Sequence, residues 1–239
     1  MNAGVLFSLP ALISQGLLKA TDVYSPLSAG YYGFVHVLLL FAFMALARIK
    51  NPEQLKNQPP GEWGKILGLD RIPEVNCLRK KLSQIIDQGK AEEFGRLLSE
   101  SWIINEECLY FYVDGHVRIY SGHEATLPKK FVSRQKLCLA GTTEYWVNDE
   151  TGLPIMFFIG ELNERLKDAI EKNIIPALLE DTKNIVDEDY LKNNPLQPRF
   201  TLVFDREAYE PLFFAKLWNE YRIAVITYRK NVKDQWNEK

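Results

Sequence analysis

Two aspartates arrive at the ends of apolar runs. In "LYFYVDG", residues 109–115, the apolar stretch delivers Asp114, and in "RFTLVFDREAYEP", residues 199–211, the same event delivers Asp205. An aspartate closing a strand is a common turn residue, so either acid alone says little. Side by side in a cleft, however, two carboxylates repel unless they share a cation. Oxygen donors of this kind suit a hard divalent ion, Mg²⁺ or Mn²⁺. In two-metal phosphoryl transfer such ions stand roughly 3.5–4 Å apart and stabilise the attacking and leaving oxygens of an in-line displacement. Asp114 and Asp205 are therefore the candidate catalytic and metal-binding residues.

The elements that must position them begin near residue 106. The run 109–113 is apolar on both faces, as a central strand should be. "KLCLAGTTEYWV" and "LPIMFFIGEL" flank the turn cluster "NDETG" and read as a hairpin. "NERLKDAIEKNIIPALLED" reads as a helix with Leu166, Ile170 and Ile174 on one face, and "TKNIVDEDYLKNNPLQP" as a surface loop. "RFTLVF", "EPLFFAKLWNEY" and "IAVITY" complete the order β-β-β-α-β-α-β. That order begins the ribonuclease H-like fold, in which the first three strands are antiparallel and the fourth lies parallel to the first. Such a sheet would bring the two acids together at the ends of strands one and four.

Residues 1–105 read as helical. "LPALISQGLLKA" is amphipathic, residues 31–49 form a buried helix, and "VNCLRKKLSQIIDQGKAEEFGRLLSESWI" supplies one or two more. The fold class expected is thus α+β or α/β: a helical, helix-turn-helix-like region at 1–105, then a partial ribonuclease H-like fold at 106–239. The uncharged stretch 23–47 is the one membrane candidate, but its dense apolar part is shorter than the roughly 20 residues a span requires. No membrane partner is expected, and His36 within it reads as a packed core histidine.

The composition excludes several classes. With 239 residues, 46% of them hydrophobic, the chain can bury a real core, and a formal charge of −2 gives no global attraction to nucleic acid. Cys77, Cys108 and Cys138 are widely spaced and form no CxxC pair, which predicts reduced, mostly buried thiols in a cytosolic protein. No phosphate-binding loop, dinucleotide fingerprint or nucleophile elbow is present.

DNA contacts must then come from local patches. "GEWGKILGLDRIPEVNCLRKKL", within about 60–82, has the outline of a helix-turn-helix: a first helix at 61–68, a turn at 68–71, and a second helix starting near Pro73. Arg79, Lys80 and Lys81 would face phosphate or groove. "KKFVSRQK", with Lys129, Lys130, Arg134 and Lys136, is expected near the metal end of the sheet, and Arg229 and Lys230 could join it. A solvated amphipathic helix is the plainer alternative for 71–90. His116 and His123 lack ligand partners in sequence and read as hydrogen-bonding or backbone-contacting residues.

"YFYVDGHVRIYSG" followed by "FDREAYEPLFFAKLWNEYRIAVITYRK" resembles the DDE transposases of the insertion-sequence type, and the resemblance extends upstream into "PPGEWGKILGLDRIPEVNCLRKKL". It implies that Asp114 matches the first acid and Asp205 the second. It further implies DNA-mediated transposition by metal-dependent strand cleavage and transfer, with Mg²⁺ or Mn²⁺ as cofactor. Double-stranded DNA at transposon ends, a homodimer built on the 31–49 helix, and a cytoplasmic, nucleoid-associated location are the expectations that go with it. The family's third acid, usually a glutamate on a helix after the fifth strand, has no counterpart: Glu207, Glu220 and Glu238 all fall elsewhere. The chain is therefore expected to be an N-terminal portion or truncated copy. A non-catalytic DNA-binding or dimerising remnant is the alternative, and a ribonuclease H-like nuclease acting alone ranks behind both.

Overall fold

The computed structural model describes residues 3–103, 109–122, 125–132 and 136–230. They form two compact units, Met1–Leu98 and Ser99–Lys239.

The first unit is helical. Its core gathers Val37, Leu40, Phe43 and Met44 from the helix Phe34–Leu46 around Trp63, Ile72 and Leu78. The apolar run is thus a core helix, with Val35 and Leu46 left exposed. Among the described residues no single helix is long and apolar enough to cross a membrane; one bent pair, Gly4–Ser14 and Leu17–Val23, meets the length and composition of a span. His36 is not packed as a core histidine. Its Nδ1 accepts the Gly33 N–H at 3.2 Å, satisfying an amide that helix formation leaves without a partner.

Pro60–Ile66 starts on a proline, whose missing N–H costs nothing at a first helical turn. The next helix is Val75–Ile86, so the connection runs over 67–74 and is longer than the four-residue turn expected at 68–71. Gly64 lets that connection fold back on the helix: a Cβ there would lie 2.4 Å from both N and Cα of Arg71. The Ile72 N–H donates to Pro60 O at 3.2 Å across the same approach.

The second unit is a mixed sheet of six strands: β1 Tyr110–Ile119, β2 Lys129–Val132, β3 Leu137–Asn148, β4 Pro154–Glu161, β5 Phe200–Phe204 and β6 Ile223–Thr227. β3 pairs antiparallel with β1 on one side and with β4 on the other; β5 is parallel to β1, and β6 parallel to β5. The spatial order β4-β3-β1-β5-β6 is the ribonuclease H-like order, with the short β2 added on β3. In the β3–β4 turn, Asp149 Oδ1 accepts from Thr151 N, Thr151 Oγ1 and Leu153 N, and Gly152 takes the left-handed φ of 85° that the turn demands.

Both helical crossovers pack on one face. Leu166, Ile170, Ile174 and Leu178 of the first, and Phe213 and Leu217 of the second, share a core with Phe111, Val113, Tyr145, Val147, Leu202 and Phe204 of the sheet. The first crossover is Leu166–Ala169, a π turn Ile170–Ile174, and Ile175–Thr182. Pro176, with no N–H and a ring that would strike the preceding turn, accounts for that widened turn. On the other face Tyr112, Phe157, Ile159 and Ile226 are exposed.

Three expectations need correction. β1 does not stop at Asp114 but runs on to Ile119, because β3 continues to pair with it through Ile119↔Gly141. β2 was not anticipated. The expected surface loop at 182–198 contains a helix, Glu188–Asn193, whose first amides are capped by Asp187.

Arg222 fixes the segment after that helix. Its guanidinium donates to Leu191 O (2.9 Å), Asn194 O (2.8 Å) and Gln197 O (2.7 Å), while its own backbone stands at φ 56°. Arg222→Ala should cost about 2 kcal/mol in denaturant unfolding, from lost charge-assisted bonds. Arg222→Gly should recover about 1 kcal/mol of that, since glycine removes the left-handed strain.

Candidate active site

The parallel register carries the argument. β1 and β5 pair through Tyr112↔Val203 and Val113↔Phe204, so the next positions on the two chains are Asp114 and Asp205. Paired strands lie about 4.8 Å apart, and partners in register point to the same side. Val113 and Phe204 are buried on the helix-covered face; the two exposed aspartates follow them by one residue and belong to the open face.

Different forces hold each acid. Asp114 stands in mid-strand, with Trp146 of β3 opposite it, and its Oδ1 accepts the Gly115 N–H at 2.9 Å. Asp205 is the first residue beyond β5, still extended at φ −69° and ψ 159°, and its Oδ1 accepts the Arg206 N–H at 2.6 Å as cap of the turn Arg206–Ala208. Two carboxylates at neighbouring register positions, each accepting from a backbone amide among the described residues, fit a hard cation in donor type. The set stops at two: among the described residues no group of three or more His, Cys, Asp or Glu could hold a metal ion. Glu207 lies in the turn after Asp205, and Glu220 near the end of the helix Pro211–Tyr221, 4.0 Å from Lys216. Glu238 lies outside the described residues.

Next to Asp114 on the open face is a fixed polar cluster. Arg118 grips Glu144 with two bonds, Nε to Oε1 and Nη2 to Oε2, both 2.9 Å. That grip holds the Glu144 carboxyl below the usual range against its partial burial, and the neighbouring Trp146 lowers it further. Trp146 stacks on Phe157 at 5.1 Å and 22°. Exposed His116 stands opposite Glu144. Sequence reasoning missed Glu144, Trp146 and Tyr112, although alternation along "TTEYWV" is the signal that puts 144 and 146 on one face.

On the covered face Tyr145 donates its hydroxyl to Glu164 O at 2.9 Å. Burial, reinforced by the carboxylates of Glu164, Glu207 and Asp168, pushes its phenol up to about 12. The neutral form is the one the fold prefers, so the native state should lose stability as pH rises from about 10, the free phenol value, through about 12. Denaturant midpoints and tyrosinate absorbance across that window should show the loss, and Tyr145→Phe should lack it.

The basic residues separate. Arg229 and Lys230 are exposed just beyond β6, where Phe204↔Thr227 is the last paired position. Lys129, Lys130 and Lys136 are exposed at the same end of the sheet as the acids but not beside them. Lys129 pairs with Ala140, six residues along β3 from Trp146, so it lies about 20 Å further out along the strand. The expected place near the acids' end of the sheet is thus met at a distance along the strand; Arg134 and His123 lie outside the described residues.

In the helical unit Arg79 pairs with Glu53, and Lys80 is exposed. Lys81 is not a phosphate-facing residue: it is 7% exposed, and its ammonium donates to Ser28 O at 2.6 Å. Lys81→Met should lower this unit's stability by about 1.5–3 kcal/mol, measured by denaturant unfolding. Cys77 is half-buried, but Cys138 is exposed, contrary to the expectation of buried thiols; Cys108 lies outside the described residues.

Strand order and register thus define a ribonuclease H-like domain that follows a helical unit in sequence. A family model described as "Transposase protein" matches residues 1–239, and the chain belongs to that transposase family. A solved structure described as "Crystal structure of a pre-cleavage Mos1 transpososome" is similar at 9% identity and a TM-score of 0.28, covering 94% of this chain and 76% of that one. A likeness of that size carries no argument, and the fold rests on the topology above. No curated protein matches the chain.

Proposed function

We propose that the second unit carries out divalent-metal-dependent phosphoryl transfer on DNA, as the catalytic part of a DDE-type transposase of the insertion-sequence kind. The observation that supports this is that Asp114 and Asp205 each follow by one residue the last paired position of β1 and β5, Val113↔Phe204. Both carboxylates would hold Mg²⁺ or Mn²⁺, which when bound supplies charge stabilisation to the attacking and leaving oxygens. The chain's own contribution is rigidity: β3 holds Asp114 from one side while β5 and the turn after it hold Asp205.

Arg229 and Lys230 would take phosphates close to the acids; Lys129, Lys130 and Lys136 would take phosphates further along the duplex. In the helical unit Lys80, with Arg79 shared with Glu53, remains the proposed backbone contact. Self-association and a nucleoid-associated location belong to the same reading.

The alternative is a DNA-binding remnant without chemistry, and the observation favouring it is the donor set of two. Mn²⁺ titration followed by electron paramagnetic resonance separates them. Binding that disappears in Asp114→Asn and Asp205→Asn supports the catalytic reading, whereas equal binding by wild type and the double variant refutes it. Duplex binding that survives in the double variant, falling with salt, fits both.

A further inference from the structure

The open face around the acids has a composition that metal binding does not explain. Register sets four side chains in one row across the sheet: Trp146 on β3 opposite Asp114 on β1, Asp205 next to Asp114 after β5, and Tyr228 next to Asp205 after β6, where Phe204↔Thr227 is the preceding pair. The two carboxylates are therefore flanked by aromatic rings, one at each end.

Neither ring belongs to the buried core. Tyr228 is 78% exposed. Trp146, half-buried, is held by its stack on Phe157, which is itself 51% exposed. A large ring fixed in orientation and only partly covered loses little freedom when a ligand arrives. Cations complete the edge: Arg206 follows Asp205, and Arg229 and Lys230 follow Tyr228, all exposed.

We propose that Trp146 and Tyr228 form a stacking platform for unpaired bases of single-stranded DNA on either side of the acid pair, a role that rests on the phosphoryl-transfer reading above. Every base has a π face, so aromatic rings bind a strand without regard to sequence, and adjacent cations follow its backbone. A phosphodiester between two splayed nucleotides would then lie over the carboxylates while its neighbouring bases rest on the rings. Charge favours nucleic acid over an apolar protein partner here, because Arg206, Arg229 and Lys230 border the row.

The test uses the full chain with a single-stranded oligothymidylate and a blunt duplex of the same length. Trp146→Leu should weaken oligothymidylate binding about tenfold, the effect of one stacked base, and leave duplex affinity unchanged. Tyr228→Leu should act in the same direction, and its exposure makes misfolding no explanation of the result. Unchanged oligothymidylate affinity in both variants, or no binding by wild type, overturns the platform. So does a stable dimer that dissociates on Trp146→Leu, which would assign the face to a second copy. Mn²⁺ binding distinguishes the two readings: if it proves insensitive to Asp114→Asn while the stacking losses are seen, the metal site fails and the platform stands. If Mn²⁺ binding depends on the acids and neither aromatic variant matters, the reverse holds.

Discussion

Asp114→Asn should abolish strand cleavage by the assembled, metal-loaded protein, with a loss of about 10³-fold or more, and Asp205→Asn should do the same. A shared metal supplies several kcal/mol to the transition state, and each 1.36 kcal/mol is a factor of ten. Asparagine keeps the size of the side chain and one acceptor oxygen, so the Gly115 and Arg206 amides retain their partners. Denaturation midpoints should therefore move little while Mn²⁺ affinity collapses. Because the two residues would share one ion, the double variant should be scarcely worse than either single one; additive losses would show that the carboxylates act separately. The assay is plasmid nicking with Mn²⁺, read beside direct metal titration.

Gly64→Ala should destabilise the helical unit by about 3 kcal/mol or more. The added methyl would meet the N and Cα of Arg71 at 2.4 Å, and a backbone cannot swing aside as a side chain can. Either the helix Pro60–Ile66 or the connection 67–74 must move, and Trp63, 1% exposed, is anchored to the core beside it. Gly95→Ala provides the control. It lies inside the helix Ala91–Trp102 with nothing within 4 Å of its added carbon, and it should stabilise by about 0.5–1 kcal/mol. Thermal unfolding of both variants checks the pair, and a neutral Gly64→Ala would show that the close approach is soft.

Much of the second unit was legible because its signals are local. The hairpin follows from Asp149 and Gly152 in "NDETG", and the parallel pairing of β1 with β5 follows from two apolar runs joined through a helical crossover. The extension of β1 past Asp114 was not legible: Gly115, His116 and Arg118 look like a loop, and only pairing with β3 makes them a strand. Burial of Lys81 was hidden for a similar reason, since its acceptor, the carbonyl of Ser28, lies 53 residues away. The row Trp146, Asp114, Asp205, Tyr228 needs three inter-strand registers at once, which no single stretch of sequence encodes. The acids were visible because each ends an apolar run; their aromatic neighbours were not, because aromatic residues in strands are ordinary.

β1 outruns β5, whose last residue Phe204 pairs with Val113, and goes on for six residues against β3 alone. Asp114 is consequently anchored by a ladder extending in both directions, whereas Asp205 depends on one short turn. Descendants of this gene can therefore lengthen or rewrite the stretch between Ile119 and Leu137 without displacing the first acid. The same freedom does not extend to residues 205–208, where a single inserted codon would break the turn that Asp205 caps.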